Sequence, residues 1–216
     1  MQKFIIRAIE SGIKGNPNAR CLNHDTTAFC HSEYHGGRER HKIDGTIENL
    51  ICTFKNDITP YPQHILNSCM CRLETILKTD LPIILNHLGC STLRVCVIPR
   101  AKNENHYTDD QKLFRQTIKN TVNSLYGFED GTLDIIRHSD TLTTHLARCG
   151  GGGNGSEPYP GITRDTCNIS NQVWGKDILL IDDLYTKTVG IDEDAIQALI
   201  DSGANNVYFY AIGRTV

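Results

Sequence analysis

Hydrophobic positions along this chain change period as they go, and the changes predict its elements. Ile47, Leu50, Ile51 and Phe54 recur at helical spacing until Pro60 and Pro62 break the pattern. Ile65, Leu66, Cys69, Leu73, Ile76 and Leu77 form a second stripe, which predicts a helix over 63–78. Thr92 to Ile98 has the composition of a strand, stopped at Pro99. A helix over 109–125 follows, with Phe114, Ile118, Val122 and Leu125 turned inward. Short strands fit Leu133–Ile136 and Ile162–Ile169. Residues 177–181 then form a nearly continuous aliphatic strand. Ala195, Ile196, Leu199 and Ile200 predict a helix opened by Asp192 and Asp194 and closed by Gly203, before a last strand at Val207–Ile212. From residue 92 onward strand and helix alternate, the pattern of a parallel α/β sheet with helices on both faces. Residues 1–45 are polar, rich in Gly, His and Cys, and read as irregular. Gly150–Gly153, followed by Asn154 and Gly155, is costly to order, and reads as a mobile lid or one ordered only by a ligand.

The chemistry concentrates where the aliphatic strand ends. A run such as Ile178–Ile181 suits a strand buried on both faces, and ligands of open α/β sheets bind at the carboxyl ends of such strands. Asp182 and Asp183 sit at that end. Thr186, Thr188 and Gly190 follow just before a helix, where hydroxyls and successive N–H groups favour phosphate. Two acceptors for sugar hydroxyls or a hydrated metal, next to an anion cradle, fit a phosphorylated sugar. The plainer reading is a buried strand followed by a solvated acidic turn.

With 216 residues, 39% of them hydrophobic, and a net charge of −3, the chain reads as one α/β domain with an appendage. We place the boundary at residue 90: an N-terminal hood over 1–90 and an α/β core over 91–216. The near-neutral charge argues against a mainly nucleic-acid-binding surface. No apolar run is long enough to span a bilayer, and Met1–Glu10 does not read as a secretory signal. Nine scattered cysteines then read as reduced thiols of a cytoplasmic protein.

The segment D-I-L-L-I-D-D-L-Y-T-K-T-V-G-I at 177–191 resembles the phosphoribosyl pyrophosphate (PRPP) signature of type I phosphoribosyltransferases. That signature has four hydrophobics, two acids, two hydrophobics and a Thr/Gly turn. Ile178 through Thr186 match in place, whereas Lys187, Thr188 and Gly190 stand where Thr, Gly and Thr are usual. Three further places resemble ComF-like and amidophosphoribosyltransferase-like members. Asp44–Asn56 is similar to a helix ending in a Lys-containing pattern, here Phe54–Lys55. Val95–Lys102 is similar to the strand and loop that cradle pyrophosphate, although the family's R-G-F-N-Q element is absent. Arg164–Asn168 resembles an R-x-x-N element with one extra residue. The resemblance covers roughly residues 44–216 and is strongest at 177–190.

The resemblance implies a Rossmann-like parallel sheet and a PRPP-dependent pentosyl transferase with Mg²⁺ as cofactor. Asp182 and Asp183, with Arg164, would be catalytic, the two acids accepting from the ribose hydroxyls directly or through metal-bound water. Tyr185, Thr186, Lys187, Thr188, Val189 and Gly190 would wrap the 5′-phosphate. Arg100, Ala101 and Lys102 would hold the leaving pyrophosphate. The acceptor stays open among a purine, ammonia and water, the last giving a PRPP hydrolase. Similar signatures occur in toxins of phage-defence toxin–antitoxin pairs, which implies a DprA-like protein partner; a homodimer is also compatible. A non-catalytic PRPP sensor and a ComF-like accessory of DNA uptake are the alternatives. The family's amino-terminal zinc knuckle has a loose counterpart in Cys21, His24, Cys30 and His35, a set of the right size for tetrahedral Zn²⁺.

Overall fold

The run Ile178–Ile181 lies where its composition requires, at the middle of a six-stranded sheet with all four side chains fully buried. The structure is a computed structural model that describes residues 1–8, 22–37, 39–57, 60–141, 162, 166–187 and 190–216. Its main elements follow in the order β1 (Gln2–Ile6), β2 (Thr26–Tyr34), α1 (Ile47–Lys55), α2 (Gln63–Leu88), β3 (Leu93–Val97), α3 (Leu113–Val122), β4 (Phe128–Asp130), β5 (Ile135–Arg137), β6 (Cys167–Ile169), β7 (Asp177–Tyr185), α4 (Ile191–Asp201) and β8 (Asn206–Thr215). The sheet order is β1-β2-β8-β7-β3-β4. Every pairing is parallel except β1 with β2, so the sheet is mixed but mostly parallel. β5 and β6 form a separate antiparallel ribbon.

Successive strand residues point to opposite faces, and β7 divides the core accordingly. Leu179 and Ile181 pack with Val95, Val97 and Tyr210 beneath α1, α2 and α3. Ile178 and Leu180 pack with Cys96, Phe209 and α4 residues Ala195, Ile196 and Leu199. The α/β architecture with helices on both faces is therefore present. α1 forms as its pattern predicts: Thr46 caps it by accepting from Asn49 N at 3.1 Å, and Ile47, Leu50, Ile51 and Phe54 are buried.

Several boundaries differ from expectation. α2 does not stop at residue 78 but runs to Leu88, through Pro82. An interior proline costs roughly 3 kcal/mol, yet Leu81 and Ile84 continue the buried stripe with no exposure, and Pro82 faces solvent. α3 is shorter than 109–125, because residues 110–112 form a 3₁₀ turn before it. The strand expected at 133–136 is β5, shifted to 135–137. The strand expected at 162–169 is described only as β6, since 163–165 lie outside the described residues.

The amino-terminal expectation needs correction. The described residues between 2 and 34 contain two strands, and β2 pairs in parallel with β8 from Ala28↔Phe209 to Tyr34↔Thr215. α1 and α2 supply much of one core face. Described residues on both sides of residue 90 thus contribute to the sheet and its core. The strand T-T-A-F-C-H-S-E-Y lacks strict alternation, and its place comes from pairing with β8, a tertiary effect that local pattern does not carry. Among the described residues no helix is long and apolar enough to cross a membrane.

Candidate active site

Topology places an opening at the acidic pair. From β3 the chain passes through α3 outward to β4; from β7 it passes through α4 the other way, to β8. β3 and β7 are neighbours whose connections diverge onto opposite faces, which is the switch point where α/β sheets bind ligands. β3 ends at Val97, opposite Ile181, and Ile98 N still reaches Ile181 O at 3.0 Å. β7 continues to Tyr185 with only β8 beside it. Asp182 and Asp183 thus stand just beyond the last β3 contact, at the mouth of that crevice.

The pleat sends the two acids apart. Asp183 faces the α1 side, where Lys55 Nζ lies 3.3 Å from its Oδ2. Burial alone would weaken the Lys55 ammonium, but Asp183 and Asp182 hold its pKa above the ordinary value. Asp182 accepts from Asp183 N at 2.7 Å and faces the α4 side. Burial, then the Asp183 charge, pushes its carboxyl up to about 7. Asp192, in the first turn of α4, is pushed well above the usual range by burial and then by Asp182. The two carboxyls are close enough to interact directly, and one proton held between them would relieve their repulsion.

That first turn is unusual in being both acidic and buried. Asp192 and Glu193 are each 3% exposed and Asp194 is fully buried. Tyr185 donates to Glu193 Oε1 at 2.9 Å, while Glu193 Oε2 and Asp192 Oδ1 have no hydrogen-bond partner. Burial raises the pKa of both Asp192 and Glu193, which favours their neutral forms at this helix amino terminus. Thr186 is half-buried and Lys187 exposed on the preceding turn. Gly190 has φ +76°, the left-handed conformation expected of the glycine displaced from its usual place. Thr188, Val189, Arg164 and the glycine run 150–155 lie outside the described residues.

The loop after β3 behaves differently from expectation. Arg100 Nη1 donates to Lys55 O at 2.9 Å and Gln111 O at 3.1 Å, its other nitrogen pairs with Asp57, and its guanidinium stacks 4.5 Å from the Tyr107 ring centre. Three of its five donors are thus engaged with the protein. Ala101 O accepts from Thr141 N at 2.8 Å. Lys102 Nζ donates to Thr141 O at 2.7 Å, and Lys102 N to Tyr107 Oη at 2.8 Å. Arg137, 1% exposed and with its pKa lowered by burial, donates from Nε to Arg100 O at 2.7 Å. The structure thus gathers Asp182, Asp183, Tyr185, Thr186 and Gly190 at one strand end, with the 100–102 loop leaving the adjacent strand. Sequence reasoning assigned no role to Lys55, Asp192, Glu193 or Arg137. Two of them carried a signal of another kind: Lys55 as the lysine of the helix-ending pattern at Phe54–Lys55, and Asp192 as a residue opening a helix.

Of the four residues considered for zinc, the three described ones are not brought together. Cys21 lies outside the described residues; His24 and His35 flank β2, and Cys30 is buried within it. A nine-residue strand is about 26 Å from first to last Cα, at roughly 3.3 Å per residue. His24 and His35 cannot share one tetrahedral ion across that length. Among the described residues no group of three or more His, Cys, Asp or Glu side chains is arranged to hold a metal. For Mg²⁺ the fit is correspondingly limited: Asp182 and Asp183 suit a hydrated ion carried in by a polyphosphate, not an all-protein cage.

No protein-family model matches the sequence, and no curated protein matches it.

Proposed function

We propose that this chain binds PRPP at the β3/β7 crevice and transfers its 5-phosphoribosyl group to a nucleophile, either an acceptor amine or water. The observation that carries the reading is the pair of carboxylates at the open end of β7, at a switch point, followed by a turn with Gly190 at φ +76°. Asp182 and Asp183 accept hydrogen bonds from the 2′- and 3′-hydroxyls. Thr186, Lys187 and the turn closed by Gly190 receive the 5′-phosphate. Mg²⁺, when bound with the substrate, neutralises charge on the leaving pyrophosphate.

In the reaction the bond from C1 of the ribose to the pyrophosphate oxygen breaks and its electron pair leaves with pyrophosphate. A bond from C1 to the nucleophile forms, and the nucleophile gives up a proton to the departing pyrophosphate or to solvent. The intervening state has oxocarbenium character, as in glycoside cleavage. The residues named act by positioning and charge, and no protein nucleophile is required. Purified protein incubated with PRPP and Mg²⁺ should release pyrophosphate, and Asp183→Asn should not. Absence of both PRPP binding and pyrophosphate release by the wild type would refute the reading.

A second reading, a PRPP sensor without turnover, is favoured by one observation. Arg100, expected at the leaving group, already donates to Lys55 O, Gln111 O and Asp57. Calorimetric binding of PRPP with no pyrophosphate release, either in water or with ammonium and purine acceptors added, would select it.

A further inference from the structure

The cation at the acidic pair comes from an unexpected part of the chain. Lys55 is the last residue of α1, and its ammonium lies 3.3 Å from Asp183 Oδ2 with both side chains largely buried. It is held there from behind. The last carbonyls of a helix have no partner within it, and that of Lys55 is taken by Arg100. Asn56 turns the chain with φ +48° and accepts at Oδ1 from Tyr61 N at 2.9 Å. Gln111 Nε2 donates to Asn56 O at 3.3 Å and to Asp57 Oδ1 at 3.2 Å. Arg100 also pairs with Asp57. The loop leaving β3 therefore clamps the end of α1, and the clamp fixes the root of the Lys55 side chain.

We propose that Lys55 is the resident cation of Asp182 and Asp183, positioned by Arg100, and that it keeps a free divalent cation off the pair until a ligand arrives. Arg100 then acts as a positioning residue, which accounts for a guanidinium that commits three donors to Lys55 O, Gln111 O and Asp57. A divalent ion approaching Asp183 meets an ammonium already in contact with that carboxylate, and the repulsion is strong in a partly buried setting. A polyanionic ligand that brings its own cation changes the balance, because it supplies compensating negative charge. The inference rests on the PRPP reading only for the identity of that ligand.

Mn²⁺ alone tests it, with the free ion measured by electron paramagnetic resonance on the full chain. Lys55→Met should bind Mn²⁺ at least about tenfold more tightly than the wild type. Adding Asp183→Asn should abolish the gain. Arg100→Lys keeps the charge but loses the forked geometry, and should give a smaller gain in the same direction. Lys55→Gln replaces Lys55→Met if the latter loses its circular-dichroism signature. Equal Mn²⁺ affinity in the wild type and the Lys55 variant, or a gain that survives Asp183→Asn, would overturn the proposal. Ribose 5-phosphate titrated into the wild type is a separate arm: absence of binding removes the PRPP reading and leaves the Mn²⁺ result to be judged by itself.

Discussion

Replacing Asp192 with Asn should make the protein more stable at neutral and alkaline pH and flatten the pH dependence of its stability. In the folded chain Asp192 is 3% exposed against Asp182, whose carboxyl is raised to about 7 from an ordinary value of 3.8. An acid whose pKa is raised by folding contributes stability that is complete below its unfolded value and lost as pH rises through its folded value. Here the loss runs from about pH 4 to somewhat above pH 7. The Asp182 shift of about three units by itself corresponds to roughly 4 kcal/mol over that window. Asp25, Glu48 and Asp80 have lowered values and act in the opposite sense, losing their contribution only in acid. They are common to both proteins and cancel in the comparison. Asn at 192 keeps the shape, removes one of the two charges and can donate to Asp182. Asp192→Asn should therefore exceed the wild type by about 1–3 kcal/mol at pH 8, with little difference at pH 4.5. Urea denaturation across that pH range measures both quantities. Parallel stability–pH curves for the two proteins would refute the shared-proton argument.

Three further outcomes follow from the same geometry. Asp182→Asn or Asp183→Asn should abolish calorimetric PRPP binding while leaving the circular-dichroism spectrum intact; unchanged affinity in both variants would remove the site assignment. Gly190→Val forces a β-branched residue to φ +76°, at a cost of at least about 1–2 kcal/mol, and should weaken ribose 5-phosphate and PRPP to the same degree, since both carry the 5′-phosphate; loss of PRPP binding alone would contradict it. Arg94→Ala strands the buried Asp134 carboxylate, which Arg94 Nε meets at 2.5 Å and Nη2 at 3.1 Å, and should destabilise by about 3 kcal/mol in denaturant titration, whereas Arg94→Ala with Asp134→Ala should recover part of that loss.

What the sequence made legible follows the reach of local pattern. Ile178–Ile181 announced a strand buried on both faces because nothing polar interrupts it, and its side chains are fully buried. α1 was legible because four apolar residues fall on one side of nine. The end of α2 was not, because Pro82 is a local signal and the burial of Leu81 and Ile84 that overrides it is a tertiary one. β1 and β2 were invisible for the same reason: β1 is placed by pairing with β2, and β2 by pairing with β8, whose residues lie nearly the whole chain away. Glycine at 190 was readable as a backbone requirement, since positive φ is a property of one residue.

Charge partnership was the least legible feature, and the candidate site turns on it. Arg100 and Lys102 follow a strand that abuts β7, which is the reason sequence order suggests them as anion ligands. Yet a guanidinium offers five donors in a fixed plane and is suited to fastening chain segments together. Arg100 does this between the end of α1, Asp57 and the turn at Gln111. Lysine offers a single compact charge on a flexible stem, and Lys55 delivers one to Asp183 from a helix that sequence order places far from the acidic pair. The pairing of a clamp with a delivered charge explains why the expected basic loop and the basic group at the acids are different residues. Arg100→Lys against Lys55→Arg separates the two functions. The first keeps a positive charge at 100 but loosens α1; the second keeps a charge at Asp183 while leaving the clamp intact. If position matters as argued, Lys55→Arg should retain most ribose 5-phosphate binding and Arg100→Lys should lose more of it. The reverse order would return Arg100 to the role of a direct anion ligand.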